Sequence, residues 1–115
     1  MPSPSRGWSR RDPAIMTLIV AGTVRVPPQN LEGLRPHMAA MMAASQAEDG
    51  CFDYNYGEDV TEPGLIHVFE RWRDQAALDA HFQTAHMAAW RAAWPSFGVS
   101  DRKLFAYEVS SERAL

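Results

Sequence analysis

The pattern of hydrophobic and polar positions predicts four β-strands. Residues 17–26 are rich in β-branched side chains and stop at a Pro-Pro pair, which is typical of a strand followed by a breaker. Residues 51–58 and 65–72 alternate with a period of two and are joined by a short polar link with a Pro-Gly turn, so they are predicted to form a hairpin. Residues 103–109 predict the fourth strand.

Alternation also predicts which side chains share a face of a strand. In the second strand, Phe52, Tyr54 and Tyr56 are expected on one face and Cys51 on the other. In the third strand, one face is expected to carry Ile66, Val68, Glu70 and Trp72.

A first helix is predicted between the first two strands. Leu31, Leu34 and Met38 recur at helical spacing, and alanine, the best helix former, fills many intervening positions. Asn30 is the expected N-cap. Pro36 predicts either a helix that starts near Leu34 or a kink after an earlier start.

A second helical segment is predicted between the third and fourth strands. Asp74 is a good N-cap, and Pro95 and Gly98 end the segment. Thr84 is a second capping residue, at which the helix can break. The side chains at helical spacing on the two sides of Thr84 are Leu78, His81, Phe82, Met87, Trp90 and Trp94.

The element order βαββαβ is typical of an α+β, ferredoxin-like fold, with a four-stranded antiparallel sheet and two helices on one face. Both faces of the first and last strands carry apolar residues, although two helices can cover one face only. Bare apolar faces mark partner surfaces, and symmetric dimers are the commonest oligomers. The sequence therefore predicts a homodimer, a dimeric α/β barrel in which two sheets pack together.

Composition excludes several classes of protein. The chain has 115 residues and a net charge of −3, which suits one domain and argues against binding to nucleic acid or to anionic membranes. No run approaches the roughly 20 apolar residues that span a bilayer. Cys51 has no second cysteine to pair with, which excludes an internal disulfide and favours a cytoplasmic protein.

The domain boundaries follow from a change in composition at Met16. Residues 1–15 are rich in Ser, Pro and Arg, and they are predicted to be a disordered leader or tag-like segment, with an ordered arm as the alternative. Residues 16–110 are predicted to form the domain, and residues 111–115 a fraying C-terminal tail.

Histidines and one carboxylate are the candidates for chemistry. His81 and His86 lie about 140° apart on a continuous helix and converge only if the helix breaks near Thr84. A metal site completed by Glu70 is then one interpretation, and hydrogen-bonded histidines without a metal are the favoured one. Glu70 needs a partner if its strand face is buried. One interpretation is that Glu70 forms a structural pair with a histidine or an arginine. The other is that it lies in a pocket and acts there as a base or orients a base.

Two strings, EDGCFDYNY and EPGLIHVFERWRDQAALDAHFQTAHMAAW, resemble the antibiotic biosynthesis monooxygenase (ABM) family, and more narrowly its quinol monooxygenase-like branch. The resemblance spans residues 16–109. The residues that carry it are Gly50-Cys51 followed by Tyr54, Glu70-x-Trp72, Leu78, His81 and His86.

The resemblance implies a face-to-face dimer, with a pocket in each subunit between helices and sheet. It implies oxidation of a small phenolic, quinol or polyketide-type aromatic by O₂ without metal, flavin or haem. His81 would be the base that takes a phenolic proton, with Glu70 or His86 orienting it. The pocket would be shaped by Tyr54, Trp72, Phe82, Met87 and Trp90.

Haem degradation is not expected. Family members that degrade haem carry an Asn, Trp and His triad, and the matching positions here are Gly22, His81 and Arg91.

Two rival functions remain open, because one fold hosts many functions. The chain could be a non-catalytic dimer that binds a small molecule, or an isomerase or cyclase on the same scaffold. Oxygen uptake discriminates among the three.

Overall fold

The computed structural model describes residues 8–10 and 17–115. The strands are β1 (Trp8–Arg10), β2 (Thr17–Arg25), β3 (Cys51–Glu58), β4 (Leu65–Trp72), β5 (Ser100–Val109) and β6 (Ser111–Arg113). The α-helices are α1 (Leu31–Gln46), α2 (Gln75–Phe82) and α3 (Ala85–Phe97), and a 3₁₀ turn at Pro28–Asn30 precedes α1.

The main sheet is antiparallel and has the strand order β3-β4-β2-β5. The two central strands of this sheet are β2 and β4. The predicted α+β, ferredoxin-like fold is thus confirmed. The bounds of β3 and β4 are those predicted, whereas β2 ends at Arg25 and β5 begins earlier, at Ser100.

Strand β3 departs from simple alternation. Its register with β4 shifts after Cys51, which pairs with Trp72, to Asp53, which pairs with Arg71, so Phe52 is an extra residue. Cys51 therefore packs against the core, and Phe52 is 44% exposed, with the Arg71 guanidinium 4.9 Å from its ring centroid. The prediction that Phe52 shares a face with Tyr54 and Tyr56, with Cys51 on the other face, is wrong, because the bulge turns both side chains over.

Helix α1 begins at Leu31 and contains Pro36. Of the two predicted starts, the structure therefore has the earlier one and not the one near Leu34. The nitrogen of Pro36 cannot donate a helical hydrogen bond. Burial of Leu31 and Leu34 offsets the loss of this bond. Asn30 occupies the N-cap position, but its side chain does not cap the helix. Instead its Nδ2 atom donates to the backbone oxygen of Phe97 at 2.8 Å, which ties the start of α1 to the end of α3.

The predicted break at Thr84 is confirmed, and it divides the second helical segment into α2 and α3. Asp74 caps α2, since its Oδ1 atom accepts from the amide of Ala77 at 2.9 Å. Thr84 caps α3, and its hydroxyl accepts from the amide of Met87 at 3.2 Å. The sheet is therefore covered by three helices rather than two.

The chain ends differ from the prediction at two short segments. Strand β1 pairs antiparallel with β6, so Ser111–Arg113 forms a strand within the tail for which fraying is predicted. The backbone of β1 supplies the hydrogen-bond partners that an isolated tail lacks. The leader prediction for the other residues of 1–15 lies outside the described residues, as does Met16.

Two apolar clusters lie between the sheet and the helices. One joins β2, β4 and α2 around Leu18, Trp72 and Leu78, and the other joins α1 to Ile66 and Val26. None of the helices in residues 17–115 has the length and apolar content needed to cross a bilayer.

The sheet face opposite the helices is open in the single chain. Ala21 pairs with Phe69 on one side and Phe105 on the other, and Ile19 pairs with Tyr107. Of these aromatic residues, Phe69 is 41% exposed, Phe105 61% and Tyr107 53%. We call this aromatic row, with Ile19 and Ala21, the open sheet face; a surface of this kind is typical of a partner contact.

Candidate active site

A cavity of about 350 Å³ lies between the inner face of the sheet and helices α2 and α3. Its size falls in the range of small-molecule sites, roughly 300–1,000 Å³. The apolar and aromatic wall includes Val20, Tyr56, Leu78, Phe82, Met87 and Trp90. Ionisable side chains on the wall include Glu70, His81 and Arg102.

Glu70 is buried on β4 and faces the cavity with 6% of its surface exposed. Trp72, two residues further along the same strand face, donates its indole N–H to the Glu70 Oε1 atom at 2.9 Å. Burial raises the pKa of Glu70 to about 7, against the opposing effects of the Trp72 hydrogen bond and the Arg102 charge. The carboxyl group is therefore poised to give or take a proton near neutral pH.

The break between α2 and α3 brings His81 and His86 together on one carboxylate. The Nδ1 atom of His81 lies 2.6 Å from the Oε2 atom of Glu48, and the Nε2 atom of His86 lies 2.7 Å from the same oxygen. Glu48 follows the end of α1, so the contact joins three elements. An ionised carboxylate only accepts hydrogen bonds, so both ring nitrogens act as donors.

His81 is 1% exposed, and its ring packs between Trp72 and Tyr54, with centroid distances of 4.7 and 5.3 Å. Burial lowers the pKa of His81, although the hydrogen bond to Glu48 acts in the opposite direction. A neutral imidazole that donates from Nδ1 has its lone pair on Nε2. The arrangement therefore presents a base whose tautomer Glu48 selects.

Two tyrosines complete the polar part of the wall. The hydroxyl groups of Tyr54 and Tyr56 lie 2.7 Å apart. Burial raises the pKa of both phenols above the ordinary value. Both therefore stay protonated at neutral pH and offer hydrogen bonds rather than charge. The Tyr56 ring also stacks on Trp90 at 5.7 Å, which links β3 to α3.

Most predicted site residues meet at this cavity, but two do not reach its wall. Tyr54, Phe82, Met87 and Trp90 line it together with Glu70 and His81. Trp72 lies behind the wall, 0% exposed, where it holds Glu70. His86 lies on the far side of Glu48, where it borders a separate shallow surface depression.

Sequence reasoning missed Glu48 and Arg102. Glu48 is 33 residues from His81 along the chain, and no spacing rule connects an acid after one helix with a histidine in the next. The available signal was that Glu48, next to Asp49-Gly50, is a carboxylate without an assigned role. Such carboxylates are common at helix ends.

A metal ion could be held by Glu48, His81 and His86, whose ligand atoms all lie within 4.8 Å of one another. The metal site considered from the sequence combined the two histidines with Glu70, whereas this set contains Glu48 instead. The same three side chains also form two short hydrogen bonds, His81 Nδ1 to Glu48 Oε2 and His86 Nε2 to the same oxygen.

Comparison with known proteins identifies the class to which this fold and cavity belong. Residues 17–93 match the family model described as antibiotic biosynthesis monooxygenase. The chain therefore belongs to the antibiotic biosynthesis monooxygenase family.

Individual relatives agree with this assignment. The uncharacterized protein sll1783 of Synechocystis is 30% identical over 115 residues, which is all of this chain and 78% of the relative. Rv0793 of Mycobacterium tuberculosis, named "Putative monooxygenase", is 37% identical over 65 residues, or 56% of this chain and 63% of that protein. The crystal structure of a "putative antibiotic biosynthesis monooxygenase" from Deinococcus radiodurans superimposes with a TM-score of 0.79 at 26% identity, covering 85% of this chain and 97% of its own.

Proposed function

We propose that this protein is a monooxygenase that oxidises a small phenolic, quinol or polyketide-type aromatic with O₂, without a metal, flavin or haem. The observation that carries the proposal is the position of His81. Its ring lies on the cavity wall, and its Nδ1 atom is engaged by Glu48 at 2.6 Å, which leaves Nε2 for a substrate hydroxyl. The family match and the monooxygenase names of relatives support the reaction class.

The proposed chemistry uses electrons from the substrate alone. His81 takes a proton from a hydroquinone hydroxyl, and the resulting electron-rich ring passes one electron to O₂. The semiquinone and superoxide combine to a ring hydroperoxide, which loses water to leave a new carbonyl group. The sum is hydroquinone plus O₂ giving hydroxyquinone plus water, so one oxygen atom enters the ring and the other leaves as water.

Glu70 is proposed as the second proton-transfer group. With a pKa of about 7, its carboxyl can donate the proton that the departing water needs. Trp72 holds one carboxyl oxygen from behind, and the apolar wall keeps bulk water away from the radical pair. Tyr54, Phe82, Met87 and Trp90 are the proposed substrate-binding residues, and His86 a positioning residue that acts through Glu48.

The working form is proposed to be a homodimer formed through the open sheet face. Phe69, Phe105 and Tyr107 are exposed on that face and come from neighbouring strands. A second copy presenting the same residues would bury all of them around a two-fold axis.

An oxygen-electrode assay against a panel of hydroquinones and anthrones tests the proposal. We expect oxygen uptake that matches hydroxyquinone or anthraquinone formation one to one. The metal content of the same sample should be measured, and the assay should be repeated with a chelator. We expect the oxygen uptake to be independent of metal in both comparisons. Absence of uptake with every member of the panel would contradict the proposal.

An isomerase or cyclase is the second candidate, because a base and a group with a pKa near 7 face the same cavity. Such an enzyme would convert its substrate without oxygen. Turnover that persists in an anaerobic cell would favour it over the monooxygenase.

A further inference from the structure

Arg102 is a cation on the cavity wall that forms no direct ion pair in the part of the chain that the structure describes, although its charge acts on the nearby carboxyl of Glu70. Its side chain is exposed, so it lies where the cavity opens. Its guanidinium carbon stands 4.5 Å from the Trp94 ring centroid, which is a cation–π contact. Other arginines, among them Arg25, Arg35, Arg71 and Arg73, do form ion pairs with carboxylates.

The backbone next to Arg102 explains why the preceding residue, Asp101, does not pair with it. The β2–β5 register shifts between Thr23 and Arg25, and Asp101 has a φ of +51°, rare for a residue with a side chain. The Asp101 carboxylate turns to Arg25 at 3.4 Å and to Lys103 at 3.6 Å. Backbone irregularities of this kind often re-aim a side chain beside a site, and here Arg102 remains available to a ligand.

We propose that Arg102, held against the Trp94 ring, forms an anion subsite at the opening of the cavity that binds a carboxylate on the aromatic substrate. A guanidinium offers two parallel N–H donors to a carboxylate, and stacking on an indole fixes its plane. The ligand class is an aromatic acid, whose ring enters the apolar cavity while its carboxylate stays near the solvent. The inference rests on the proposed function for the identity of the ring and on Arg102 alone for the charge.

Binding can be measured without turnover, by quenching of tryptophan fluorescence under anaerobic conditions. The probes are dihydroxybenzoates and their methyl esters, in which a methyl group replaces the negative charge on the same ring. We expect each acid that binds to bind about tenfold more tightly than its ester at low salt, the difference that one charge-assisted contact of about 1.4 kcal/mol produces. The difference should shrink as salt screens the exposed charge.

Arg102→Gln should abolish the preference for the acid and leave ester binding unchanged, whereas Arg102→Lys should retain part of it. Lys103→Gln is the matched control, because it removes a neighbouring cation that is not on the cavity wall. An unchanged acid-to-ester ratio in Arg102→Gln, no preference in the parent protein, or no binding of any acid would overturn the inference. Preferential acid binding without oxygen uptake would overturn the monooxygenase proposal and leave the anion subsite in place.

Discussion

The Nδ1 atom of His81 lies 2.6 Å from the Oε2 atom of Glu48, although 33 positions separate the two residues along the chain. The contact connects the end of α1 to the last turn of α2. It fixes both the orientation and the tautomer of an imidazole that faces the cavity. An anionic partner on one ring nitrogen is the arrangement that makes the other nitrogen an effective base.

Replacing the proposed base should abolish most of the activity. Because general-base catalysis contributes about a hundredfold to ten-thousandfold, His81→Ala should lower kcat on a dihydroxy-aromatic substrate by that order. His86→Ala should retain far more activity, since His86 does not reach the cavity wall. Circular dichroism of both variants checks the fold, and equal turnover by His81→Ala and the parent protein would rule out the proposed role.

Glu48 is a positioning residue whose effect should appear in the pH profile. Glu48→Gln removes the carboxylate that raises the pKa of His81. We expect kcat to fall about tenfold to a hundredfold and the acidic limb of the kcat/KM profile to move to lower pH. Asp49→Asn is the control, because Asp49 is a neighbouring acid that pairs with Arg73 at the surface. A fall in kcat with no displacement of the acidic limb would argue for a structural role only.

Glu70 should make the protein less stable as the pH rises from about 4.5 to about 7. The pKa of its carboxyl group is about 7 in the folded chain, against 4.5 for an unperturbed glutamate, so the folded chain binds more protons than the unfolded chain in this window. The free energy of unfolding then falls with pH, by about 3 kcal/mol for a shift of this size. The lowered pKa of His81 acts in the opposite direction, so parent and variant must be compared.

Urea unfolding at several pH values measures this effect. Glu70→Gln should remove the destabilisation above pH 7 relative to the parent protein. Glu108→Gln, at an exposed position on β5, should follow the parent curve. Parallel curves for Glu70→Gln and the parent protein would show that the carboxyl group titrates normally.

Gly22 permits the close approach of β2 and β5. A Cβ atom at this position would lie 1.8 Å from the backbone oxygen of Lys103, and the φ of Gly22 is +155°. Gly22→Ala should therefore cost several kcal/mol, about 3 or more, because the backbone of β5 must move. Gly57→Ala in β3 is the control, since its Cβ would meet nothing within 4 Å. Thermal unfolding of the two variants measures the difference, and similar melting temperatures would contradict this account.

The open sheet face should control the oligomeric state. Phe69→Lys with Phe105→Lys places two charges in the proposed interface, and light scattering should report a dimer for the parent protein and a monomer for the double variant. Val60→Lys is the control, because Val60 is 98% exposed and lies on the link between β3 and β4, outside the strands that form that face. A monomeric parent protein, or a dimeric double variant, would contradict the homodimer.

The secondary structure was largely predictable because the signals are local. The bounds of β3 and β4 follow from alternation, and the Asp74 and Thr84 caps act on amides within three residues. Errors arose where a distant partner decided the outcome. Phe52 turned outward because of its register with β4, and the Asn30 side chain bonds to the carbonyl of Phe97 instead of capping α1.

The composition of the candidate site was predictable only in part. Glu70 and His81 could be selected because an acid or a histidine is rare on an apolar face. Tyr54 could be selected because it lies, as they do, in the strings that resemble the family. Glu48 and Arg102 could not, because each is an ordinary charged residue at the end of an element until the fold places it beside the cavity.

The amino-acid sequence by itself determined the order of strands and helices, the fold that this order implies, and the family to which the chain belongs. Periodicity, capping and short motifs involve residues that are close together in the chain, so they can be recognised in the sequence alone. Only the tertiary structure decided that His81 and His86 share the carboxylate of Glu48 and that Trp72 stands behind Glu70. It also decided that Arg102 lies at the cavity opening without a direct ion pair to any of the described residues. Those relationships join residues far apart in the chain, and burial and packing between elements create them.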